Sequence, residues 1–536
     1  MVPDRDTQKE KIMKKFLKTA ILATALGAIA ATPVSAKTFR YAYASDVNSL
    51  DPYSLSESFS ISFLQHIYEP LVRYNENLEI EPALATSWEN VSPTVIRFKL
   101  RQGVKYHDGA DFNADDVVVS FTRALNENSP IRSNLTGVEK VTKVDAYTVD
   151  MHLTTPSPII FNFISNLVIM DGDWLNKNNS MASIDSTKGE ENYASTHANG
   201  TGPFILESRR PDSKTVLTVN PNWWDKPKHN LTKIEFTPVS SDATRVAALL
   251  SGELDMIYPS PLQDSKRISS AGGVKVLEGP SLRTIMLGFN MHEKLNDTDV
   301  TGANPFKDVN VRMAFAKSVN LDLIRKKIMR GKARIAGLLV APEVPGFRAS
   351  DNDPVGYDIA GAKALLAKAG YPDGFRFAMN CPNDRYVNDE EICQAIAGMV
   401  SKAGFKPKLT TETKGLHFKK ARAGQADVFM LGWATLPMLD SFSTLSALLH
   451  TPKDKFGSWN PGGYSNATLD KLTQQSMSMV DLKKRNGVMA DALKIAKDEL
   501  AWYPIHQQPL SWAVRENVSV VQSPDNKLRL WYTQIN

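Results

Sequence analysis

The histidine, serine and acidic side chains that most often carry enzymatic chemistry stand at spacings that form no catalytic motif. The sequence has no Gly-x-Ser-x-Gly elbow and no phosphate-binding glycine loop, and His292-Glu293 lacks the second histidine of a zinc-protease helix. Asp351-Asn352-Asp353 begins like a calcium loop, but Val355 and the missing terminal glutamate break that pattern. The sequence therefore predicts a protein that is not an enzyme, with a secreted hydrolase as the competing class.

His506 is the histidine for which a metal or haem role is worth weighing. It lies in the segment Tyr503-Pro504-Ile505-His506-Gln507. A metal site needs several convergent ligands, and the nine histidines are scattered without metal-binding spacing. We therefore expect a structural or exposed histidine at this position, no bound metal and no cofactor.

The first 36 residues have the charge and hydropathy order of a cleavable signal peptide. A basic segment that follows Met13 precedes the apolar run 19–31 and the small residues Val34-Ser35-Ala36. Met13 fits the start of such a signal better than Met1, so residues 1–12 form an upstream extension in this interpretation. The apolar run is too short to span a membrane, and no cysteine lies near Ala36 to carry a lipid. We expect a soluble periplasmic protein that is not a lipoprotein.

The predicted compartment bears on the two cysteines of the chain. In an oxidising environment Cys381 and Cys393 are expected to form a disulfide, and the alternative is two free, buried thiols.

The chain has 63 lysines and arginines and 58 aspartates and glutamates, and its net charge becomes nearly balanced once the basic N-terminal segment is removed. No nucleic acid partner is therefore expected.

The order of predicted elements indicates an α/β fold. Short strands at 375–379, 408–411 and 427–431 alternate with helices at 358–369 and 393–403. Apolar residues at helical spacing also predict helices over 159–170 and 309–329. The mature length exceeds what one hydrophobic core supports, so two or three lobes are expected.

The stretch 97–117 joins a predicted local structure to a family signature. Phe98 and Leu100 and, past a turn, Val104 and Tyr106 stand at the even spacing of an alternating strand. A turn signal follows at residues 107–109, and Asn113 can cap a helix with acids in its first turn. The same stretch resembles the signature of the peptide/nickel class of ABC-importer solute-binding proteins. That signature runs roughly Trp…Phe-x-Leu-Arg-x-Gly-Val-x-Phe-His-Asp-Gly…Ala-x-Asp-Val, with Trp88 as its tryptophan and Tyr106 in place of its last phenylalanine.

Six further segments match the family in the same order, from about residue 40 to residue 515. They are 50–52, 200–204, 220–224, 245–255, 305–314 and 357–371. One such segment would be weak support, but six in the right order identify the chain as a member of this class.

The resemblance implies an α/β, two-lobed periplasmic-binding-protein clamshell with an extra domain. Residues 37–80, 200–282 and 508–536 would form domain I, residues 81–199 domain II as an insertion, and residues 283–507 domain III. The implied function is the periplasmic substrate-binding component of an ABC transporter, which encloses a short peptide between its lobes and delivers it to an inner-membrane permease. Same-fold alternatives are a binder of glutathione or another modified peptide, of an opine, of a nickel chelate or of haem. A monomer is expected.

The resemblance also implies which residues hold the ligand. Arg385 lies in a loop whose arginine grips a ligand carboxylate in the family, a task that suits the planar guanidinium. The proposed disulfide would close a loop around Arg385 and preorganise it. The simpler interpretation is an exposed arginine paired with Asp384 or Asp389.

The family's site for a peptide amino group is altered in this chain. An aspartate three residues after a Gly-Trp pair takes that group in peptide binders, and here Gly432-Trp433 is followed at that spacing by Leu436. Asp440 could replace it, or it could cap a helix over 441–449. Trp433 is expected to line the cleft, or to be a core tryptophan. Ser56 and Glu57, and Trp459 with Asn460 at another rim segment, complete the predicted site, with an ordinary turn as the alternative for the last two.

Overall fold

The computed structural model describes residues 37–54, 57–135, 137–436, 438–454 and 456–536. Residues 38–536 form one compact unit. The signal-peptide prediction for residues 1–36 lies outside the described residues. Within the ranges that the structure describes, no helix is long and apolar enough to cross a membrane.

The strands are labelled in chain order. They are β1 (Thr38–Tyr43), β2 (Val72–Tyr74), β3 (Ile80–Pro82), β4 (Ala85–Ser92), β5 (Val95–Leu100), β6 (Val138–Asp145), β7 (Thr148–Leu153), β8 (Phe204–Arg210), β9 (Lys214–Val219), β10 (Lys233–Pro238), β11 (Met256–Ile257), β12 (Val274–Phe289), β13 (Arg334–Ile335), β14 (Arg376–Pro382), β15 (Lys406–Glu412), β16 (Val428–Trp433), β17 (Trp502–Arg515), β18 (Val518–Ser519) and β19 (Gln534–Ile535).

The helices lie between these strands and on their faces. The α-helices are Ser58–Leu64, Ala114–Leu125, Ile160–Ile164, Gly172–Lys177, Asp242–Ser251, Ser265–Ser269, Val309–Lys317, Leu321–Leu323, Ile359–Lys368, Asp389–Ser401, Lys414–Arg422, Phe442–Thr444, Ala467–Ser478 and Leu482–Asp498. Short 3-10 helices occur at Arg132–Leu135, Ser186–Lys188, Tyr193–Ser195, Leu262–Asp264, Pro305–Lys307, Ala349–Asp351 and Leu530–Tyr532, and π-helical turns at Ile324–Ile328 and Leu445–Leu449.

One large mixed sheet contains strands from both halves of the chain. Its order is β15-β14-β16-β12-β17-β11-β1-β10-β9-β8, with β13 paired to β17. β14 pairs in parallel with both β15 and β16, and β1 pairs in parallel with both β10 and β11. Between these two parallel groups run the long antiparallel strands β12 and β17, of 16 and 14 residues. This pair is the covalent and hydrogen-bonded connection between the two halves of the sheet.

The β12–β17 ladder has an irregularity in its middle. Pro280 pairs with Pro509 and Thr284 with Gln507, so that three residues of β12 stand opposite a single residue of β17, Gln508. Such a bulge bends the strand and increases its twist. The domain boundaries expected at 282/283 and 507/508 fall at this irregularity.

A separate four-stranded antiparallel sheet, β4-β5-β7-β6, lies in the segment expected to be domain II. The helix Ala114–Leu125 begins as the sequence predicts: the Asn113 side chain accepts from the Asp115 N–H at 2.8 Å, and Asp116 accepts from the Asn113 N–H at 2.9 Å. β5 ends at Leu100, and the turn expected before Val104 is present, with Gly103 at φ 74°. Val104 and Tyr106 are buried beyond this turn, but they lie outside the strands given above.

Two helix predictions run too long. The helix expected over 309–329 ends at Lys317 and restarts at Leu321, because the Asn320 side chain accepts from the Leu323 N–H at 2.9 Å and caps a new turn. The segment expected to be helical over 159–170 holds only the helix Ile160–Ile164. In both cases apolar residues recur where helical hydrogen bonding is interrupted. Val319 and Leu167, for example, are buried but lie outside the helices.

Candidate ligand-binding cleft

A small cavity that opens to solvent lies beside the irregularity of the β12–β17 ladder. Residues from both halves of the large sheet contribute to its lining. Those used below are Tyr43, Phe59, Ser281, Arg283, Leu436 and Gln508. Its position at the connection between the two halves is where a solute would contact both.

The loop that carries Arg385 is fixed by hydrogen bonds from its backbone to the Asp389 side chain. The N–H groups of Arg385 and Tyr386 both donate to one carboxylate oxygen of Asp389 at 2.9 Å. Burial raises the pKa of Asp389, and these backbone donors lower it in part. The disulfide Cys381–Cys393 joins the end of β14 to the helix Asp389–Ser401 and closes the loop covalently.

The Arg385 side chain is exposed and has no acidic partner among the residues that the structure describes. Its guanidinium carbon lies 5.3 Å from the centroid of the Tyr386 ring. Within the described residues no carboxylate approaches it within ion-pair distance, and Asp384, the neighbour the sequence offered, accepts instead from the Lys414 N–H at 2.6 Å. The guanidinium is therefore available to a ligand.

A second arginine, Arg283, was not found from the sequence. It lies in the three-residue insertion of β12, lines the cavity and donates from Nη1 to the Gly432 carbonyl at 2.8 Å. Burial and the like charge of Arg385 lower the pKa of Arg283 to about 10. No motif marked this residue, because the strand irregularity that exposes it to the cavity appears only when β12 meets β17.

Glu57 directly precedes Ser58 and Phe59, which line the cavity. Its two oxygens accept from the N–H groups of Phe59 and Ser60 at 2.9 and 2.8 Å, so it caps the helix Ser58–Leu64. The ring of Tyr43 stacks on Phe59 at 3.9 Å. Burial raises the pKa of Tyr43, the carboxylate of Glu57 raises it further, and the guanidinium groups of Arg385 and Arg283 lower it. Charges of both signs thus surround one ring; the other predicted residue here, Ser56, lies outside the described residues.

Trp433 and Trp459 form an edge-to-face aromatic pair with ring centroids 6.2 Å apart. The Trp433 Nε1–H donates to the Ser443 hydroxyl at 3.0 Å, and the Arg422 guanidinium lies 3.9 Å from the Trp459 ring. Both rings are half-buried. Asn460 is buried, and its amide is used in its own turn, with donations to the carbonyls of His450 and Tyr464 at 3.1 and 2.8 Å.

The structure gives Asp440 an internal partner. Its side chain is 2% exposed and accepts two hydrogen bonds, at 2.7 and 2.9 Å, from Arg485, which is 1% exposed. One of the same oxygens also accepts from the Phe442 N–H at 2.8 Å, next to the short helix Phe442–Thr444. In this arrangement both carboxylate oxygens are bonded inside the protein. Leu436, at the position where the family has its aspartate, lines the cavity.

His506 lies inside the large sheet, opposite Ile285 of β12 and Ile335 of β13. Burial lowers its pKa to about 4, so the ring is neutral at physiological pH. Among the residues that the structure describes, no cluster of three or more histidine, cysteine, aspartate or glutamate side chains is arranged to hold a metal.

An α/β fold with a cleft between two halves of one sheet defines a two-lobed binding protein. The family described as bacterial extracellular solute-binding proteins, family 5, matches residues 79–456. The chain belongs to this family, which confirms the class that the sequence motifs predict.

Relatives with known names span nearly the whole chain. The glutathione-binding protein GsiB of Salmonella typhi is 26% identical over 522 residues, which cover 95% of this chain and 96% of that protein. The dipeptide-binding protein of Escherichia coli K12 is 29% identical over 447 residues, which cover 78% and 80%.

A solved structure supports the same architecture. The periplasmic binding protein DppA of Helicobacter pylori, in complex with the peptide STSA, superposes with a TM-score of 0.77 at 23% identity and covers 93% of this chain and 98% of that one. The predicted two-lobed α/β clamshell is confirmed as the fold.

Proposed function

We propose that this protein is the periplasmic substrate-binding component of an ABC transporter and captures a short peptide or a peptide-like solute in the cleft at the β12–β17 irregularity. The solute is then delivered to an inner-membrane permease. Two observations carry the proposal. The Arg385 guanidinium has no acidic partner among the described residues. The charges of Arg385 and Glu57 both act on Tyr43, whose side chain lines the cavity.

Opposite charges around one ring suit a zwitterion. A solute carboxylate at Arg385 would form the paired hydrogen bonds that a guanidinium favours. An ammonium group would be attracted to Glu57, whose oxygens each accept one backbone N–H and keep further acceptor capacity. Relatives named for glutathione and for dipeptides bind solutes with both kinds of group, which supports a peptide-like ligand here.

Closure of the lobes would follow from the same strand pair. We propose that the ladder irregularity is the hinge and that the domains are those expected from the sequence, with boundaries at 282/283 and 507/508. The Val387 N–H donates to the Gln508 side chain at 3.2 Å, which ties the Arg385 loop to this hinge. A solute that contacts both lobes stabilises the closed state by its differential affinity.

The remaining parts of the proposal concern location and chemistry. Residues 1–36 would direct export and be removed, without lipid attachment, and the mature protein would act as a monomer that does not bind nucleic acid. It would release its solute unchanged, since family 5 comprises solute-binding proteins. Incubation with a quenched peptide library should therefore yield no cleavage products.

The test combines identification of the solute with one substitution. Native mass spectrometry of the purified protein, followed by denaturing release, should show short peptides or one peptide-like species. Isothermal titration with that species should then show that Arg385→Ala loses about 2–5 kcal/mol of binding free energy. Arg132→Ala, at an exposed arginine in the segment expected to be domain II, is the matched control and should bind normally. Unchanged affinity in Arg385→Ala, or release of a bare metal ion alone, would refute the proposal.

A further inference from the structure

Arg283 lines the cavity, and most of its N–H donors meet no acceptor among the residues that the structure describes. An arginine has five N–H donors. Within the described part of the chain, one of them reaches an acceptor, the Gly432 carbonyl at 2.8 Å. No carboxylate of the described residues lies within ion-pair distance of Arg283.

Asp525 also lines the cavity, but it forms its ion pair with Arg529 and not with Arg283. Asp525 is buried and accepts two hydrogen bonds from Arg529, at 2.6 and 3.1 Å. It also accepts from the Lys527 N–H at 3.2 Å. Because Asp525 is paired in this way, the guanidinium of Arg283 remains available to an anionic group of a ligand that enters the cavity.

Arg283 and Arg385 are close enough to act on one small molecule. Both guanidinium carbons lie near the ring of Tyr386, at 5.8 and 5.3 Å from its centroid. Burial is the main reason that the pKa of Arg283 is lowered, and the repulsion between the two like charges lowers it further. Two anionic groups on one ligand would relieve both costs.

We propose that Arg283 is a second anion-binding residue of the cleft and that the protein selects peptide-like solutes with two carboxylates, one held by each arginine. This inference rests on the proposed function and specifies the solute class of the same site. Leu436 agrees with it, because an apolar side chain in place of the family's aspartate removes a negative charge that would repel a second carboxylate.

A structural role for Arg283 predicts a different behaviour. If the bond to Gly432 were its purpose, replacing the arginine would weaken the folded protein. If the arginine is kept for an anion, it is an unpaired, partly buried charge in the empty protein, and its removal should leave stability equal or higher. Ligand-free stability and ligand preference together separate the two roles.

The experiment compares acid and amide forms of the same peptides in wild type, Arg283→Met and Arg283→Lys. The probes are Ala-Glu against Ala-Gln, and γ-Glu-Cys-Gly against its C-terminal amide, each titrated calorimetrically. Wild type should prefer the acid of at least one pair roughly tenfold to hundredfold, the range expected for a hydrogen-bonded charged group. Arg283→Met should bind acid and amide alike, with the amide at its wild-type affinity, and Arg283→Lys should keep part of the preference. The melting temperature of ligand-free Arg283→Met should be no lower than that of the ligand-free wild type.

Each other outcome decides against the inference at a distinct level. An acid preference that persists in Arg283→Met, or a wild type without preference that still binds peptides, would overturn the role of Arg283 and leave the proposed function intact. Loss of affinity for acid and amide equally, with a lower melting temperature, would assign Arg283 to structure. A wild type that binds none of the four peptides would overturn the peptide-like solute class and this inference with it.

Discussion

Replacing Asp440 by asparagine should destabilise the protein without weakening solute binding. The Asp440 carboxylate and the Arg485 guanidinium are 2% and 1% exposed and share two hydrogen bonds, at 2.7 and 2.9 Å. Arg485 also donates from Nε to the Ser476 carbonyl at 2.8 Å, and this bond does not neutralise its charge. Asp440→Asn therefore leaves a buried cation without its counter-charge.

The expected loss follows from that geometry. Breaking a buried ion pair by removing one partner costs about 3–5 kcal/mol, because the remaining charge stays desolvated. Urea unfolding followed by tryptophan fluorescence should show this loss in the unfolding free energy. Removing both charges in Asp440→Asn with Arg485→Met should recover part of it, since no unpaired charge then remains.

The control is a solvent-exposed ion pair on the α-helix Leu482–Asp498. Lys494 and Asp498 are 2.6 Å apart but 49% and 57% exposed, so Asp498→Asn should cost at most about 1 kcal/mol. Calorimetric titration of Asp440→Asn with the identified solute should give the wild-type affinity. An Asp440→Asn protein of unchanged stability that no longer binds solute would show that the carboxylate is a ligand group and refute the internal-pair assignment.

Three further changes have expected outcomes. Gly432→Ala should weaken solute binding in calorimetry, because the added Cβ would lie 2.6 Å from the Tyr386 ring that both Arg283 and Arg385 approach. The control is Gly487→Ala, in a helix with open space around it, which should add about 0.5–1 kcal/mol of stability. Reducing the disulfide Cys381–Cys393 or replacing both cysteines by serine should lower stability by about 3 kcal/mol for a loop of this length and raise the dissociation constant, measured by unfolding and titration. His506→Leu should make stability less sensitive to acid in pH-dependent unfolding, since burial lowers the histidine pKa from 6.5 to about 4.

The sign of the pH effect is set by the neutral form. The folded protein keeps His506 unprotonated, while the unfolded chain takes up a proton below about pH 6.5. Its contribution to stability is therefore complete above that pH and is lost as the pH falls towards 4, by roughly 3 kcal/mol at most. An equally steep acid slope in His506→Leu would contradict this. Wild-type affinity in Gly432→Ala would contradict the expected effect of the added Cβ on solute binding. Unchanged affinity after reduction of the disulfide would show that the disulfide does not position Arg385.

Local features were predictable because each depends on residues close together in the chain. The capping of the helix at Asn113 needs only the next three positions, and the structure has both bonds of that cap. The strands predicted at 375–379, 408–411 and 427–431 are observed as β14, β15 and β16, and each ends one to three residues later than predicted. The restart at Asn320 was missed because apolar spacing does not register a polar cap inside a buried segment.

The site required contacts between distant segments. The sequence by itself determined the family, the α/β class and Arg385 as a candidate, because motifs and periodicity are written in consecutive residues. Only the tertiary structure decided that Asp440 is bonded to Arg485, 45 positions further on, and that Arg283 reaches the cavity through an irregular pairing of β12 with β17. Which charges are neutralised inside a protein depends on which segments meet, and chain order alone does not specify those meetings.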